Sequence, residues 1–347
     1  MKKPDAYHDS DGKPIMAKSI VVYIDALATK TFWKSEPDRT KLEFVRDWVR
    51  EFDEFRVGLD PYADDAETAL SSESPRVVTF TDNVAVAIPL SPERAAVLSA
   101  LAEGDLELGF EAANETHEAL YWLMSVLFSL QIHVLILVHG HGRFFRGAVR
   151  VGAVYADRWT IIGDGLIDAV MGEEKQTVVP AIQLPDWMVY AYQLDSVFYS
   201  KSRDSTLYQT LARTEFIFDG EDYSFVFLNY LACPDAGEFE LWRDEVMPAH
   251  AALISEALDS NLGKDVQFKY LWLAAYHNWV VVENGLNESS LVVLEGKLSA
   301  PDIVIDSLEG ATARAKSGSA SPWSKVKKCS KTSRKFDRLR RLLGRQQ

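Results

Sequence analysis

The sequence predicts an α+β fold. Three features carry that expectation: a β-branched apolar run at Ser19–Ile24 (SIVVYI), a hairpin pattern over Arg76–Ile88 (RVVTFTDNVAVAI), and stretches of helical apolar spacing between and after them. Taken in order, Ser19–Ile24 is long enough for one buried strand, closed by Asp25. The charged segment that follows places Leu42, Val45, Trp48, Val49, Phe52 and Phe55 on one helical face. Residues 60–75, rich in Asp, Ser and Pro, read as a loop. The hairpin turns at Thr81, Asp82 and Asn83. Ser91 caps a helix with Pro92 at its first position. Ala119–Val138 carries no formal charge over twenty residues and reads as a buried helix, with Asn114 as N-cap and Glu118 in its first turns, ending near Gly140 or Gly142. Gln131 and His133 inside it argue against a membrane span. Phe145–Tyr155 is a strand whose glycines suggest close packing or a bulge. Trp159–Ile162 is short and apolar, Gly163 leads into a helix through Met171, and Val178–Leu184 is a further strand. Strand, helix, hairpin, helix, strand, helix, strand is the order of a ferredoxin-like α+β sandwich.

The second half repeats nothing from the first. Glu215–Leu231 reads as a hairpin turning at Asp219-Gly220; Leu241–Asn261 and Val266–Trp279 read as helices.

Composition sets the class. Of 347 residues, 47% are hydrophobic and 25% charged, which excludes collagen-like, mucin-like and wholly disordered chains. Two cysteines, Cys233 and Cys329, exclude a disulfide framework or a Cys-rich zinc site. The N-terminal stretch lacks an apolar segment of secretory type, so a cytoplasmic setting is expected. Charge is uneven. Residues 313–347 hold 12 Lys+Arg against one acid, while the rest of the chain is strongly acidic. The basic tail either folds back on that acidic body or touches nucleic acid or an anionic membrane. Lys335–Leu343 could form a short amphipathic helix behind a flexible SGSASPW linker.

Asp25 and Asp82 are the residues with chemistry in view. Each borders an apolar strand, and neighbouring strands would bring both carboxylates to one end of a sheet. Carboxylates so placed suit a hard divalent cation that also binds phosphate oxygens. An aspartate ending a strand equally serves as a turn former. His139 and His141, two apart on a helix, point to different sides and read as a solvated helix end. His277 and Asn278 read as packing or capping groups. GDG at 163–165 is too short for a phosphate loop, and GxSxG, P-loop and HExxH motifs are absent from the sequence.

The blocks YIDALA (23–28), VVTFTDNVAVAIP (77–89) and FRGAVRVGAVYADRWTIIGDGLIDAVMGEE (145–174), with KYLWLAAYHN further on, resemble the catalytic domain of class III nucleotidyl cyclases, most of all the bacterial pyrimidine cyclases of Pycsar-type antiphage defence. The likeness spans about residues 18–290. It implies a class III cyclase fold with a C-terminal α/β extension: an arm at 1–17, a catalytic domain at 18–190, the extension at 191–310 and a basic tail at 311–347. It also implies conversion of a nucleoside triphosphate, UTP or CTP, to a 3′,5′-cyclic nucleotide and pyrophosphate, with Mg2+ or Mn2+. Asp25, Asp82 and Ile24 would hold the metal. Ala26, Leu27 and Ala28 would cradle the triphosphate with their N–H groups. A homodimer and a separate effector that reads the cyclic product are implied as well.

The sequence departs from purine cyclases in the base pocket, where Val78 replaces the base-reading lysine and Thr160 the acidic base partner. Ile167 and Met171 stand where many class III enzymes carry the Asn and Arg of the transition state. Arg146 is the candidate substitute, with Arg143 and Lys175 behind it; a structural ion pair with a helix acid is the competing role. The rival reading of the whole chain is an inactive cyclase fold serving as nucleotide sensor or dimeric scaffold.

Overall fold

The computed structural model describes residues 5–27, 34, 36–59, 74–80, 82–104, 112–189, 210–233, 238–260, 262–294 and 303–307. The loop expected at 60–75 lies outside them except for its last two residues, and so do Thr81, Ala28, the linker and the basic tail. The fold is mixed α+β. Strands β1 (Ala17–Ala26), β2 (Arg76–Phe80), β3 (Asn83–Pro89) and β4 (Phe145–Ala156) stand in the order β2-β3-β1-β4, every neighbour antiparallel. Helix α1 (Asp38–Leu59) links β1 to β2. Helices α2 (Pro92–Glu103) and α3 (Ala112–His141) link β3 to β4. Each strand–helix–strand unit is thus split by a strand of the other.

Alternation along β1 assigns the two faces. Ile20, Val22 and Ile24 are fully buried in the main core, while Val21 joins a smaller cluster with Val78, Ala85 and Ala87 on the opposite face. On the main side α1 presents an aromatic stripe: Phe44 stacks on Trp48 at 5.8 Å, Trp48 meets Phe52 at 4.9 Å and Phe145 at 5.1 Å. The helical face expected from Leu42 and Val49 is corrected here. Leu42 is 70% and Val49 43% exposed, because the 44-48-52-55 stripe, with its larger rings, turns toward the sheet.

α3 begins at Ala112, so Asn114 lies within its first turn and is not the N-cap. It ends with Gly142 at φ 61°, whose N–H reaches Val138 O at 2.9 Å. It is long and apolar enough to cross a membrane, but 78% of its apolar stretch is buried inside the protein. The Ser91 side chain accepts from Arg94 N–H, capping α2 as expected.

On the smaller face α4 (Asp164–Gln176) rides directly on β4. A Cβ at Gly152 would meet the Gly165 Cα at 2.5 Å, so two facing glycines set this close approach. Short β5 (Ile161–Ile162) pairs with the far end of β4.

Beyond α4 the same sheet continues. β6 (Ile182–Leu184) runs parallel to β4, then come β8 (Glu221–Leu228), β7 (Leu211–Phe218) and β9 (Val304–Ser307). β6 is shorter than the expected 178–184, because Pro180 interrupts the run and cannot donate to a ladder. The β7–β8 turn has Asp219 at φ 52° and Gly220 at φ 83°, the left-handed pair a tight hairpin needs. Helices α5 (Met247–Asp259) and α6 (Lys264–Glu283) complete the main core. A wide turn at Trp242–Val246 precedes α5, where Met247 N–H reaches back to Trp242 O and Pro248 supplies no donor.

Candidate functional site

The strand register puts Asp25 opposite Asn83 of β3 and opposite Arg146 of β4. Asp82 precedes Asn83 in the hairpin turn, and its carbonyl accepts the Ala26 N–H at 3.1 Å. The end of β1 and the β2–β3 turn are therefore clamped together, with both aspartates at one rim of the sheet. Arg146 donates from Nε and Nη2 to the same Asp25 oxygen, Oδ2, at 3.1 Å each. Its Nε also faces Glu173 Oε1 of α4. The side chains are 18% exposed for Asp25, 25% for Arg146 and 3% for Glu173.

The electrostatics show a surplus of carboxylates. Burial raises the Asp25 pKa; Arg146 opposes the rise and the nearby Asp82 adds to it. Burial pushes Glu173 up to about 7, against the pull of Arg146. Tyr23 is pushed up to about 12, first by burial and then by Glu173, Asp25, Asp82 and Glu174. Lys269 of α6 belongs to the same cluster: burial and Arg146 lower its pKa, while Asp25 and Glu173 act to raise it. Four carboxylates thus act on Tyr23 while two cations, Arg146 and Lys269, act on Asp25.

Sequence reasoning pointed to Asp25, Asp82 and Arg146, the residues the fold brings to this rim, and named no residue for the helix acid or for Lys269. Glu173 sat in view as the acid near the end of the α4 pattern. Lys269 opens the quoted block KYLWLAAYHN, but nothing in its local pattern assigns it a role at the Asp25 rim.

Other expected positions fare differently. The phosphate cradle is corrected at Ala26 and Leu27. The Ala26 N–H is taken by Asp82 O, and the Leu27 N–H by Phe144 O at 2.9 Å, so neither points outward; Ala28 lies outside the described residues. Ile24, the third expected metal position, is corrected: it is fully buried in the middle of the sheet, paired with Val84 of β3 and Gly147 of β4. Val78 is nearly buried in the smaller cluster. Thr160 is exposed at a turn where Asp157 Oδ1 accepts its N–H at 2.8 Å, and its neighbour Ile161 shares that cluster with Val78. Ile167 and Met171 stand exposed on α4. Arg143 lies over the Phe44 ring, and Lys175 lines a groove of about 550 Å³ with Arg150, Gln183 and Asp186, away from the Asp25 rim.

The histidines are corrected too. His139 is buried, 6% exposed, with its pKa pushed down to about 4 by burial, and its Nε2 finds no hydrogen-bond partner among the described residues. It does face a different side from His141: His139 lies 6.5 Å from the His250 ring, His141 5.4 Å from Phe44. His277 and Asn278 pack and clamp as expected. His277 Nε2 meets Ser290 O at 2.8 Å, and Asn278 holds both N–H and carbonyl of Val292. Because Ser290 O only accepts, His277 donates there and accepts on Nδ1 from His250, which in turn accepts from the Tyr230 hydroxyl.

Among the described residues, no group of three or more His, Cys, Asp or Glu is arranged to hold a metal ion. A two-carboxylate site completed by substrate phosphates is the smaller set a magnesium ion uses. Asp25 and Asp82 are hard oxygen donors and fit that chemistry, whereas Ile24 sits inside the β1 ladder between Val84 and Gly147. No family model matches this chain, and no curated protein matches it.

Proposed function

We propose that the protein is a metal-dependent nucleotide cyclase. It would convert a nucleoside triphosphate, UTP or CTP, to a 3′,5′-cyclic nucleotide and pyrophosphate, as the class III resemblance implies. The observation that carries this reading is the register that sets Asp25 beside the Asp82 turn at one rim of the sheet. The split strand–helix–strand order around these residues supports it, being the ferredoxin-like arrangement expected for a class III domain.

Asp25 and Asp82 would hold Mg2+ or Mn2+. Bound there, the ion would make the ribose 3′-hydroxyl more acidic and offset triphosphate charge. The protein's own groups supply the rest. Lys269 offers a half-buried ammonium beside the acidic rim for a phosphate oxygen. Arg146 is engaged with Glu173 and Asp25, so the structural ion pair foreseen for it is present. Val78, near Tyr23 and Ala85 on the smaller face, offers an apolar wall where purine cyclases keep a lysine, and the Thr160 hydroxyl is a neutral partner for a base. Ile167 and Met171 provide no charge to the transition state. Such a loss costs roughly 100-fold in turnover, so slow chemistry is expected. Their exposure, with Trp159 and Ile162 also exposed, supports a second subunit over this face. A separate effector would read the product in an antiphage response.

The test is to incubate the purified protein with each of the four ribonucleoside triphosphates and Mn2+ or Mg2+, and to identify products by mass. A cyclic pyrimidine nucleotide is expected. Nucleotide binding without product from any of the four would favour the sensor or scaffold reading.

A further inference from the structure

We propose that Arg146 is the exchangeable counter-cation of Asp25: its guanidinium sits on that carboxylate until a divalent cation arrives, and Glu173 then keeps it. This rests on the metal reading above and concerns what occupies Asp25 beforehand.

The geometry is unlike a settled fork-to-fork pair, in which two N–H groups address two oxygens. Here Nε and Nη2 both address Oδ2 of Asp25, while Glu173 Oε1 lies against Nε as an ion-pair partner without a hydrogen bond. A guanidinium held by two carboxylates can leave one without being stranded. Burial decides which one it leaves. Glu173, at 3%, lies deeper in the protein with little water to replace the guanidinium; Asp25, at 18%, borders solvent and has a second carboxylate, Asp82, within electrostatic reach. The move needs no backbone change. Arg146 and Asp25 face each other in the β1–β4 ladder, and α4 brings Glu173 to the same guanidinium, so a side-chain rotation suffices. The charge balance also fits. While Asp25 and Asp82 await a cation, Arg146 limits their repulsion; once it arrives, two positive centres on one carboxylate would repel each other.

The probe is Mn2+ alone, with free ion followed by electron paramagnetic resonance, on wild-type protein and on Arg146→Ala, Arg146→Gln, Glu173→Gln, Asp25→Asn and the Arg146→Ala/Glu173→Gln double variant. Thermal melts select the folded variants, and Arg146→Gln serves if Arg146→Ala does not fold. Removing Arg146 is expected to tighten Mn2+ binding on the order of tenfold or more. Glu173→Gln is expected to weaken binding when Arg146 is present, because the guanidinium then has only Asp25, and to have little effect when Arg146 is absent. That non-additivity separates exchange from a general loss of negative charge. Unchanged affinity in both Arg146 variants while Asp25→Asn abolishes binding would overturn the exchange and leave the metal site standing. The same factor for Glu173→Gln in both backgrounds would overturn it as well. If neither the wild type nor the Arg146 variants bind Mn2+, or if Asp25→Asn binds normally, the metal reading falls and the exchange falls with it.

Discussion

Replacing His139 with phenylalanine should remove an acid-sensitive element of stability, and its size follows from burial. His139, on α3, is buried beside His250 of α5 and has a folded-state pKa of about 4 against 6.5 for an exposed imidazole. The unfolded chain therefore takes up the proton first. The contribution is intact above the unfolded value, is lost as pH falls through 6.5, and stops declining below about 4. Between pH 7.5 and pH 5 the loss is roughly 2 kcal/mol for this one group. His250, lowered in the same direction, acts likewise. Glu173 works with the opposite sign: its folded pKa of about 7 lies above the ordinary 4.5, so it stabilises the fold as pH drops through 7. The wild-type curve alone mixes these effects. The informative quantity is the difference in unfolding free energy between wild type and His139→Phe, measured by urea titration at several pH values. It should shift by about 2 kcal/mol in favour of the variant from pH 7.5 to pH 5. Parallel curves, with a constant offset at every pH, would refute the claim that His139 is neutral because it is buried.

Packing gives three further expectations. Gly152→Ala forces a methyl group onto the Gly165 backbone at 2.5 Å and should cost about 1–3 kcal/mol in urea unfolding; a neutral result would mean that α4 does not ride on β4 as described. Trp48→Ala should cost about 3–5 kcal/mol, whereas Leu42→Ala, on the same helix but 70% exposed, should stay within about 0.5 kcal/mol, and equal losses would contradict the assignment of the α1 face. Ser91→Ala removes the side-chain acceptor for Arg94 N–H and should cost about 1 kcal/mol by the same assay.

How much of this was legible beforehand depends on the kind of signal each element gave. β1, the β2–β3 hairpin, β4 and the β7–β8 turn declare themselves through β-branched runs and turn residues, which are local properties. Asp219-Gly220 is readable because few other dipeptides tolerate two successive left-handed conformations. The α1 face was misjudged because Leu42 and Val49 fit the helical period as well as Phe44 does, and only the third dimension shows that the aromatic rings meet Phe145. The taken N–H groups of Ala26 and Leu27 could not be seen, since their acceptors, Asp82 O and Phe144 O, belong to distant segments. His139 looked like a helix terminus facing water because α5, which covers it, begins more than a hundred residues later in the chain. Asp25 and Asp82 were found by position and pattern. Glu173 and Lys269 lie inside quoted blocks, but that they meet Asp25 and Arg146 follows only from the placing of α4 and α6.

The most direct test of the central claim is the rate of pyrophosphate release, in Mn2+, by wild-type, Asp25→Asn and Asp82→Asn proteins with their preferred triphosphate. Release coupled to cyclic product, reduced about 100-fold or more by either substitution alone, is the predicted result. Turnover that survives either change, in a protein whose melting curve shows it folded, would contradict the assignment of the paired carboxylates.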